Sequence, residues 1–308
     1  MSTNAIQSSH IYSTYFAPRG RSRIYTLGMQ IAQLYLSPFD QIIGFIGEAG
    51  SGKSVLIKGM FPGIELTNDD DGVNVRPLPL LEQELVTGFF TPHTYHLAIR
   101  FETGFHQLSE LADAVRLAVR RGKRIIIEHF DLIYPLLGVN ANLLIGVGEQ
   151  IVITRPNLFG PLPQELCDIV YPSLAYRLMA HSAEDLCEYA MTQEQMLACS
   201  HGDIRHGFVL EFSEHQPDID IPTLEARVNE LIRQDLPIDY YDESHILLGG
   251  AQHYCTGPRT HVRSTGRIIG FRLLDHFIYD HFHKTYMLVG CVGDDSEENI
   301  RKLETIHG

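Results

Sequence analysis

The sequence lacks an apolar run long enough to cross a membrane. Its most apolar stretch, residues 125–153, is interrupted by Glu128, Asp131 and Glu149, whereas a membrane helix needs roughly 18 uninterrupted apolar residues. The first 15 residues also lack a basic start followed by an apolar core, which is the pattern of a secretory signal. We therefore expect no membrane partner and no secretory leader.

Cysteine is scarce and its number is odd. A disulfide framework normally shows an even number of closely spaced cysteines in a short secreted chain. The pattern here predicts reduced thiols and a cytoplasmic location. The five cysteines are Cys167, Cys187, Cys199, Cys255 and Cys291.

Basic residues are outnumbered by acidic ones. The 308 residues include 24 Lys and Arg against 38 Asp and Glu, which gives a formal net charge of −14. This balance argues against a protein that coats nucleic acid by bulk charge, because such binding needs a basic surface. It leaves room for a local basic groove. A hydrophobic content of 44% is that of a globular chain and excludes a disordered one.

The charge is unevenly distributed and indicates two domains. Residues 1–175 have a net charge of −3 and residues 176–308 a net charge of −11. Four prolines lie within residues 155–173, a density typical of a linker or a rigid crossover. We predict a first domain over residues 1–172 and a second over residues 173–308.

Apolar patterning predicts an α/β first domain and an α+β second domain. Alternating strands and helices favour a mostly parallel sheet covered on both faces. In the first domain strands are predicted over 41–47, 95–101, 124–128, 143–147 and 150–154, and helices over 53–60 and 107–121. In the second, helices are predicted over 180–196 and 224–234, a strand over 207–212, and an acidic helical tail over 294–306.

A phosphate-binding motif follows the first of these strands. It matches G-x-x-x-x-G-K-[ST] and lies between an apolar strand and a helix, as this chemistry requires. Backbone N–H groups of the loop and the helix N-terminus would face phosphate oxygens, with Lys53 on the β- and γ-phosphates and Ser54 on Mg²⁺. The motif predicts binding of ATP or GTP with Mg²⁺. Its residues are Gly47, Glu48, Ala49, Gly50, Ser51, Gly52, Lys53 and Ser54.

Carboxylates that could act with this loop occur in two places. Glu128 ends a predicted buried strand, with Asp131 shortly after it; alternatively, Glu128 only caps the next helix. A second cluster contains Asp69 and Asp70, and its position resembles small-molecule kinases of the uridine kinase and phosphoribulokinase type. That resemblance implies that Asp69 or Asp70 accepts the proton of the acceptor hydroxyl. The alternative is an acidic turn, and no arginine-rich lid follows it.

Three segments of the second half stand out: HSAEDL at 181–186, DIRHGFVLEF at 203–212 and CTGPRTHVRSTG at 255–266. In this order they resemble segments of the second additional, editing domain of threonyl- and alanyl-tRNA synthetases. The resemblance covers roughly the last two-fifths of the chain, from His181 to Leu274. No aminoacylation core is visible, and the chain is too short to hold one.

The resemblance implies a hydrolytic or metal-binding site on His181, Asp185, Cys255 and His261. Such a set can bind Zn²⁺ tetrahedrally or position a water for attack on an aminoacyl ester. Two departures are visible: Asp185 stands where the family has a second histidine, and the Cys–His interval is two residues longer. Either His261 keeps the histidine's role, or Arg259 occupies its position.

A local group of arginines offers a contact for an anionic partner. Such a patch could meet a tRNA acceptor end or another phosphate; the alternative is surface pairing with the many acids. The group consists of Arg259, Arg263, Arg267 and Arg272.

Three functions follow as hypotheses. The first is nucleotide-dependent handling or hydrolysis of an amino acid or aminoacyl-tRNA. The second is a small-molecule P-loop kinase whose second domain selects the substrate, and the third is a non-catalytic binding protein switched by nucleotide. Residues 1–40 contain no motif that favours one of them.

Overall fold

The computed structural model describes residues 12–64, 66, 94–213 and 215–307. They divide into two compact units. The first contains residues up to 15 together with 23–172, and the second contains 16–22 together with the residues from 173 onward. The segment 16–22 thus belongs to the second unit, whereas the sequence predicts it in the first. Asp69 and Asp70 lie outside the described residues.

The described part of the first unit is built on a six-stranded, mostly parallel sheet. The strands are β1 (Ser13–Phe16), β2 (Ile42–Ile46), β3 (Thr94–Ala98), β4 (Arg124–Glu128), β5 (Leu143–Val147) and β6 (Gln150–Thr154). Their spatial order is β1-β6-β5-β2-β4-β3. Strands β3, β4, β2 and β5 pair with one another in parallel. The predicted mixed α/β class is confirmed, and β2, β4 and β5 are buried along nearly their whole length, as parallel strands usually are.

Two of the helices described in this unit lie where the sequence predicted helices, at 53–60 and 107–121. The described helices are α1 (Arg21–Tyr35), α2 (Lys53–Met60), α3 (Ile99–Glu102), α4 (Leu108–Arg120) and α5 (Phe130–Leu137). Helix α4 begins with a capping box between Gln107 and Glu110, which satisfies two N-terminal backbone donors. It packs against β4 and α5. The unit therefore has a core between sheet and helices that fixes where the ends of β2, β3 and β4 meet.

Two predicted elements differ from the structure, and the direction of a third was not predicted. Strand β6 runs antiparallel to β5, because only the short turn of Gly148 and Glu149 separates them and a parallel return would need a long crossover. The strand predicted over 95–101 ends at Ala98 and continues as α3. The proline-rich stretch is a linker only in part, because α6 (Pro163–Ala190) begins inside it. Pro163 occupies the first helical position, where proline is tolerated.

The second unit combines helices with antiparallel sheets. From Ser173 it contains the rest of α6, then α7 (Gln193–Ala198), β7 (Cys199–Ile204), β8 (Gly207–Ser213), α8 (Ile221–Arg233), β9 (Ile238–Asp242), β10 (His245–Leu248), β11 (Ala251–Tyr254), a 3₁₀ helix (Thr265–Arg267), β12 (Arg272–Leu273), β13 (Ile278–Asp280), β14 (Thr285–Cys291) and α9 (Ser296–His307). One sheet has the order β12-β14-β8-β7, with β13 also on β14, and a second has the order β11-β10-β9. The helix predicted over 180–196 is two helices, since α6 ends at Ala190 and Thr192 caps α7.

The described helices include none that is long and apolar enough to span a membrane. The longest, α6, carries acidic and basic side chains along its length.

Glu102 gives the first unit a pH-dependent stability. Its side chain is 1% exposed, its Oε1 atom has no hydrogen-bond partner within the described residues, and burial raises the pKa of its carboxyl from 4.5 to about 7. Between these two values the folded chain keeps a proton that the unfolded chain has lost. Stability therefore falls as the pH rises through this window.

We expect Glu102→Gln to remove this loss. The variant should be more stable than the parent at pH 8 by roughly 1–3 kcal/mol, since each pKa unit corresponds to about 1.4 kcal/mol. The stabilities of the variant and of the parent protein should differ much less at pH 4.5. Urea unfolding at both pH values measures the difference. Glu110→Gln is the matched control, because its side chain is largely exposed and glutamine still completes the capping box. An equal effect of Glu102→Gln at both pH values would contradict the assignment.

Candidate functional site

The loop 47–54 connects the carboxyl end of β2 to the first turn of α2. Gly52 caps α2 with a φ of 85°, a left-handed conformation that favours glycine. The Lys53 Nζ atom donates hydrogen bonds to the backbone carbonyls of Gly47 and Glu48, each at 2.8 Å. The ammonium is thus held across the mouth of the loop, and burial lowers its pKa. This arrangement places a cation and the N-terminal backbone donors of α2 together, which suits a bound anion.

Glu128 lies beside this loop, at the end of β4. Its register partner on β2 is Phe45, so the strand delivers the carboxylate to the same edge of the sheet as the loop. Glu128 Oε1 lies 3.4 Å from Ser54 Oγ and 3.1 Å from His96 Nε2, and Oε2 lies 3.9 Å from Lys53 Nζ. Burial alone would raise the pKa of Glu128, but the hydrogen bond and charge of His96 and the charge of Lys53 lower it. A hydroxyl next to an ionised carboxylate is a ligand pair suited to Mg²⁺.

Glu128 does not cap the next helix. The N-cap of α5 is His129, which has a φ of 56° and makes no side-chain capping bond. Burial lowers the pKa of His129 to about 4, so its ring is neutral at pH 7. Its Nδ1 atom and Asp131 Oδ1 are buried without hydrogen-bond partners in the described residues. Asp131 Oδ2 accepts a hydrogen bond from Tyr171, and burial raises the pKa of Asp131.

Sequence reasoning missed three side chains at this edge of the sheet: His96, Arg100 and His129. Arg100 follows β3 and forms two hydrogen bonds to the Glu48 carboxylate, of 2.6 and 2.9 Å. The bond to Arg100 lowers the pKa of Glu48. The positions of these three residues in or just after predicted parallel strands could have identified them, because the carboxyl ends of such strands meet at one edge of a sheet.

The second unit brings together His181, Asp185, Cys255 and His261, which we call the His181 cluster. One potential ligand atom from each lies within 4.8 Å of all the others. The Cys255 Sγ atom is 3.4 Å from His181 Nε2 and 3.7 Å from His261 Nε2. Asp185 Oδ2 is 2.9 Å from His261 Nε2, and Asp185 Oδ1 is 3.8 Å from His181 Nε2. The two imidazole rings are stacked, with centroids 4.2 Å apart.

The two Cys–His distances fit a tetrahedral zinc site. Zinc bonds of about 2.3 Å to sulfur and about 2.0–2.1 Å to nitrogen place the two ligand atoms roughly 3.6 Å apart at a tetrahedral angle. Both Cys–His separations agree with this value. Each histidine also has its Nδ1 atom near a backbone carbonyl, Thr260 for His181 at 2.9 Å and Pro258 for His261 at 3.3 Å. Nδ1–H donation to a carbonyl fixes the tautomer that leaves Nε2 as the ligand atom.

Electrostatics favour ligation over free nucleophilic chemistry at Cys255. Burial and the charge of Asp185 raise the pKa of the Cys255 thiol, so the thiol is a poor nucleophile without a cation. Burial also lowers the pKa of His181 well below its usual value, which keeps the imidazole neutral, as a ligand must be. Despite burial, the pKa of Asp185 is lowered by the neighbouring His181 and His261 side chains. The cluster therefore offers an ionised carboxylate at neutral pH.

The loop that contains Cys255 packs against the segment 16–22 of the same unit. Arg21 N donates to the Thr256 carbonyl at 3.0 Å. A Cβ atom on Gly257 would lie 2.2 Å from the Arg19 carbonyl oxygen and 2.9 Å from the His181 ring, so only glycine fits there. The Gly257 N–H also donates to Cys255 Sγ at 3.3 Å. This loop is thus held in place by an N-terminal segment that carried no recognisable motif.

Arg19 is the anchor of that segment. It is 3% exposed and forms two hydrogen bonds to the Glu184 carboxylate, of 3.1 and 2.8 Å. It also donates to the Gly202 and Gly207 carbonyls and lies 3.2 Å from Asp203. Glu184 precedes Asp185 on α6, so the ion pair lies directly behind the His181 cluster.

The structure places His261, and not Arg259, in the cluster. The Arg259 guanidinium lies over the Tyr240 ring, 4.2 Å from its centroid, and is about half exposed. Arg272 pairs with Glu225 and Glu297. Arg263 and Arg267 are exposed and form no ion pair among the described residues. Two of the four arginines thus pair internally, and two are open to an anionic partner.

No protein-family model and no curated protein sequence matches this chain.

Proposed function

We propose that this protein is a nucleotide-binding P-loop protein whose second unit hydrolyses an amino acid ester, with the acceptor end of an aminoacyl-tRNA as the substrate class. The nucleotide is ATP or GTP with Mg²⁺, and the second unit holds Zn²⁺. A cytoplasmic location fits the five free cysteines.

One observation supports the hydrolytic proposal most directly. Two helix residues one turn apart, His181 and Asp185, meet Cys255 and His261 from a distant loop. These four positions are the ones that the resemblance to synthetase editing domains implies. Cys255 lies 74 residues from His181 in the sequence, yet its Sγ atom lies at the separations of a zinc tetrahedron from both histidines of the cluster. Convergence of this kind indicates a built site.

The chemistry follows from the ligand set. A zinc ion held there would supply an activated water and polarise the ester carbonyl. His181, Cys255 and His261 provide three ligand atoms. Asp185 is the exchangeable member, because a carboxylate can give up its place to water and then orient that water by accepting a hydrogen bond. Arg263 and Arg267 are the exposed cations available for phosphates of the acceptor end.

The nucleotide part of the proposal rests on the loop 47–54. Lys53 lies across the loop mouth, and Ser54 lies beside the ionised Glu128. In a P-loop, a lysine at this position binds the β- and γ-phosphates, and a serine at this position binds Mg²⁺. Arg100 would become available to phosphate once it leaves Glu48.

The hydrolytic proposal predicts deacylation of tRNAs charged with Ala, Ser or Thr. We expect His261→Ala and Cys255→Ala each to abolish this activity, because each removes a ligand atom from the cluster. Release of the labelled amino acid from mischarged tRNA measures it. Cys291→Ala is the matched control, since Cys291 is an equally buried free thiol of the same unit outside the cluster. It should retain full activity.

Two results would contradict this proposal. One is the absence of activity on all three charged tRNAs with zinc-loaded protein. The other is retained activity in His261→Ala, which would show that the cluster does not carry the reaction.

A P-loop kinase is the second candidate, and one observation favours it. His129 Nδ1 and Asp131 Oδ1 are buried polar atoms without partners among the described residues, and they lie in the segment directly after Glu128. A small hydroxylated acceptor bound there would satisfy them. Transfer of the γ-phosphate to an amino acid or nucleoside would decide for this candidate, and ATP turnover unaffected by any such acceptor would decide against it.

A further inference from the structure

We propose that the second unit contains a second divalent-cation site next to the His181 cluster, formed by Glu188, Cys199 and His201, with His253 beside the other oxygen of Glu188. We call this set the Cys199 cluster. Its nitrogen, sulfur and oxygen donors select a zinc-type ion over Mg²⁺ or Ca²⁺, which prefer oxygen ligands alone.

Three of the four residues converge on one point. Ligand atoms of Glu188, Cys199 and His201 all lie within 4.8 Å of one another. Cys199 and His201 are two residues apart on β7, so they face the same side of the strand. Cys199 Sγ lies 3.6 Å from Glu188 Oε1, which agrees with the roughly 3.5 Å expected between sulfur and oxygen ligands of tetrahedral zinc. His201 Nε2 forms a hydrogen bond to the same carboxylate oxygen.

His253 is the independent observation that indicates a ligand. It lies on β11 and is 8% exposed, yet its Nε2 atom has no hydrogen-bond partner in the described part of the chain. That atom is 3.9 Å from Glu188 Oε2. A buried imidazole nitrogen normally has a partner. An ion between His253 and Glu188 would supply it.

The two clusters occupy successive turns of α6. His181, Asp185 and Glu188 lie on one face of the helix because they are four and three residues apart. His253 is within reach of both carboxylates, since its ligand atom lies within 4.8 Å of Asp185 and of Glu188. The His181 cluster already has four ligand atoms, which is the full tetrahedral number. His253 is not among these four ligands, and it lies beside the Glu188 carboxylate of the second site.

The geometry favours a metal over a Cys–His–Glu nucleophile. In a nucleophilic triad the thiol contacts one ring nitrogen of the histidine and the carboxylate contacts the other. Here the Cys199 sulfur contacts His201, and it also approaches the same oxygen of Glu188 as the His201 Nε2 atom does. The sulfur, nitrogen and oxygen atoms of these three residues thus surround one point, as the ligand atoms of a metal ion do. Cys199 and His201 are also partly exposed, which gives an ion a path of access.

Zinc stoichiometry of the full-length protein tests the proposal. After removal of metal and dialysis against Zn²⁺, we expect two equivalents per chain. Cys199→Ser and His201→Ala should each bind one, His261→Ala should bind one, and His201→Ala combined with His261→Ala should bind none. His276→Ala, which removes an exposed histidine of the same unit, should still bind two. Circular dichroism verifies that each variant is folded.

Cobalt substitution provides a second measurement that does not depend on a change in folding. Each cluster contains one thiolate, so Cys199→Ser should halve the thiolate-to-cobalt charge-transfer absorption of the parent protein. The parent's band should also be lost in two equal steps as the two sites are removed.

The outcomes separate this proposal from the hydrolytic one. A single equivalent that His261→Ala removes and His201→Ala leaves unchanged would overturn the second site and keep the first. A single equivalent with the opposite dependence would support the second site and overturn zinc at the His181 cluster. No bound zinc would overturn both.

Discussion

Arg19→Met should lower the free energy of unfolding of the second unit by about 3–5 kcal/mol, the usual cost of removing one partner of a buried ion pair. The variant leaves the Glu184 carboxylate without its two hydrogen bonds from Arg19, and Glu184 is only 3% exposed. Two backbone carbonyls lose a donor as well. Urea unfolding followed by circular dichroism measures the change.

A double variant separates charge from packing. Arg19→Met combined with Glu184→Met should recover much of the lost stability, because a buried pair can often be replaced by apolar side chains at little cost. Arg21→Met is the matched control, since its guanidinium is about half exposed and pairs with the equally exposed Glu243. It should cost at most about 1 kcal/mol. If Arg19→Met costs no more than Arg21→Met, the buried pair does not stabilise the unit.

Lys53→Ala should reduce nucleotide affinity on the order of 100-fold. The Lys53 ammonium would form charge-assisted hydrogen bonds to the phosphates, each contributing about 1.5–3 kcal/mol, and 1.4 kcal/mol corresponds to tenfold in affinity. Titration calorimetry with ATP and with GTP, each with Mg²⁺, measures the change and identifies the preferred base.

Two further variants sharpen this experiment. Lys58→Ala changes a lysine in the last turn of the same helix, α2, and should leave affinity unchanged. Ser54→Ala should weaken binding only when Mg²⁺ is present, because Ser54 acts through the metal. Equal affinity of Lys53→Ala and the parent protein would contradict the assignment of the loop.

Local patterns in the sequence predicted most elements of the first unit. Helix α2 and strands β4, β5 and β6 begin and end at the predicted residues, because each is a short apolar run bounded by turn residues. The direction of β6 could not be deduced in this way, since a run of apolar residues contains no information on its pairing partner. The high density of prolines in residues 155–173 predicted a linker, but Pro163 is the first residue of helix α6.

The resemblance predicted the four residues of the His181 cluster, but nothing in the sequence predicted the residues that surround it. His181 and Asp185 have the i, i+4 spacing of one helical face, which is visible in the sequence. The pairing of Arg19 with Glu184 joins residues 165 positions apart, and no local pattern marks such a contact. In the sequence His253 is one of 16 histidines, and only the fold shows that its Nε2 atom is buried without a hydrogen-bond partner among the described residues.

Asp185 sets the charge balance of the His181 cluster, because it is the one carboxylate among the four residues. With Cys255 as thiolate and Asp185 ionised, the four ligands carry two negative charges, and a divalent cation makes the buried assembly neutral. A neutral assembly is less costly to bury than a charged one, and it neither attracts nor repels phosphate. Attraction of an anionic substrate to this acidic unit would then depend on Arg263 and Arg267 at the surface. Binding through so few cations should depend only weakly on salt concentration.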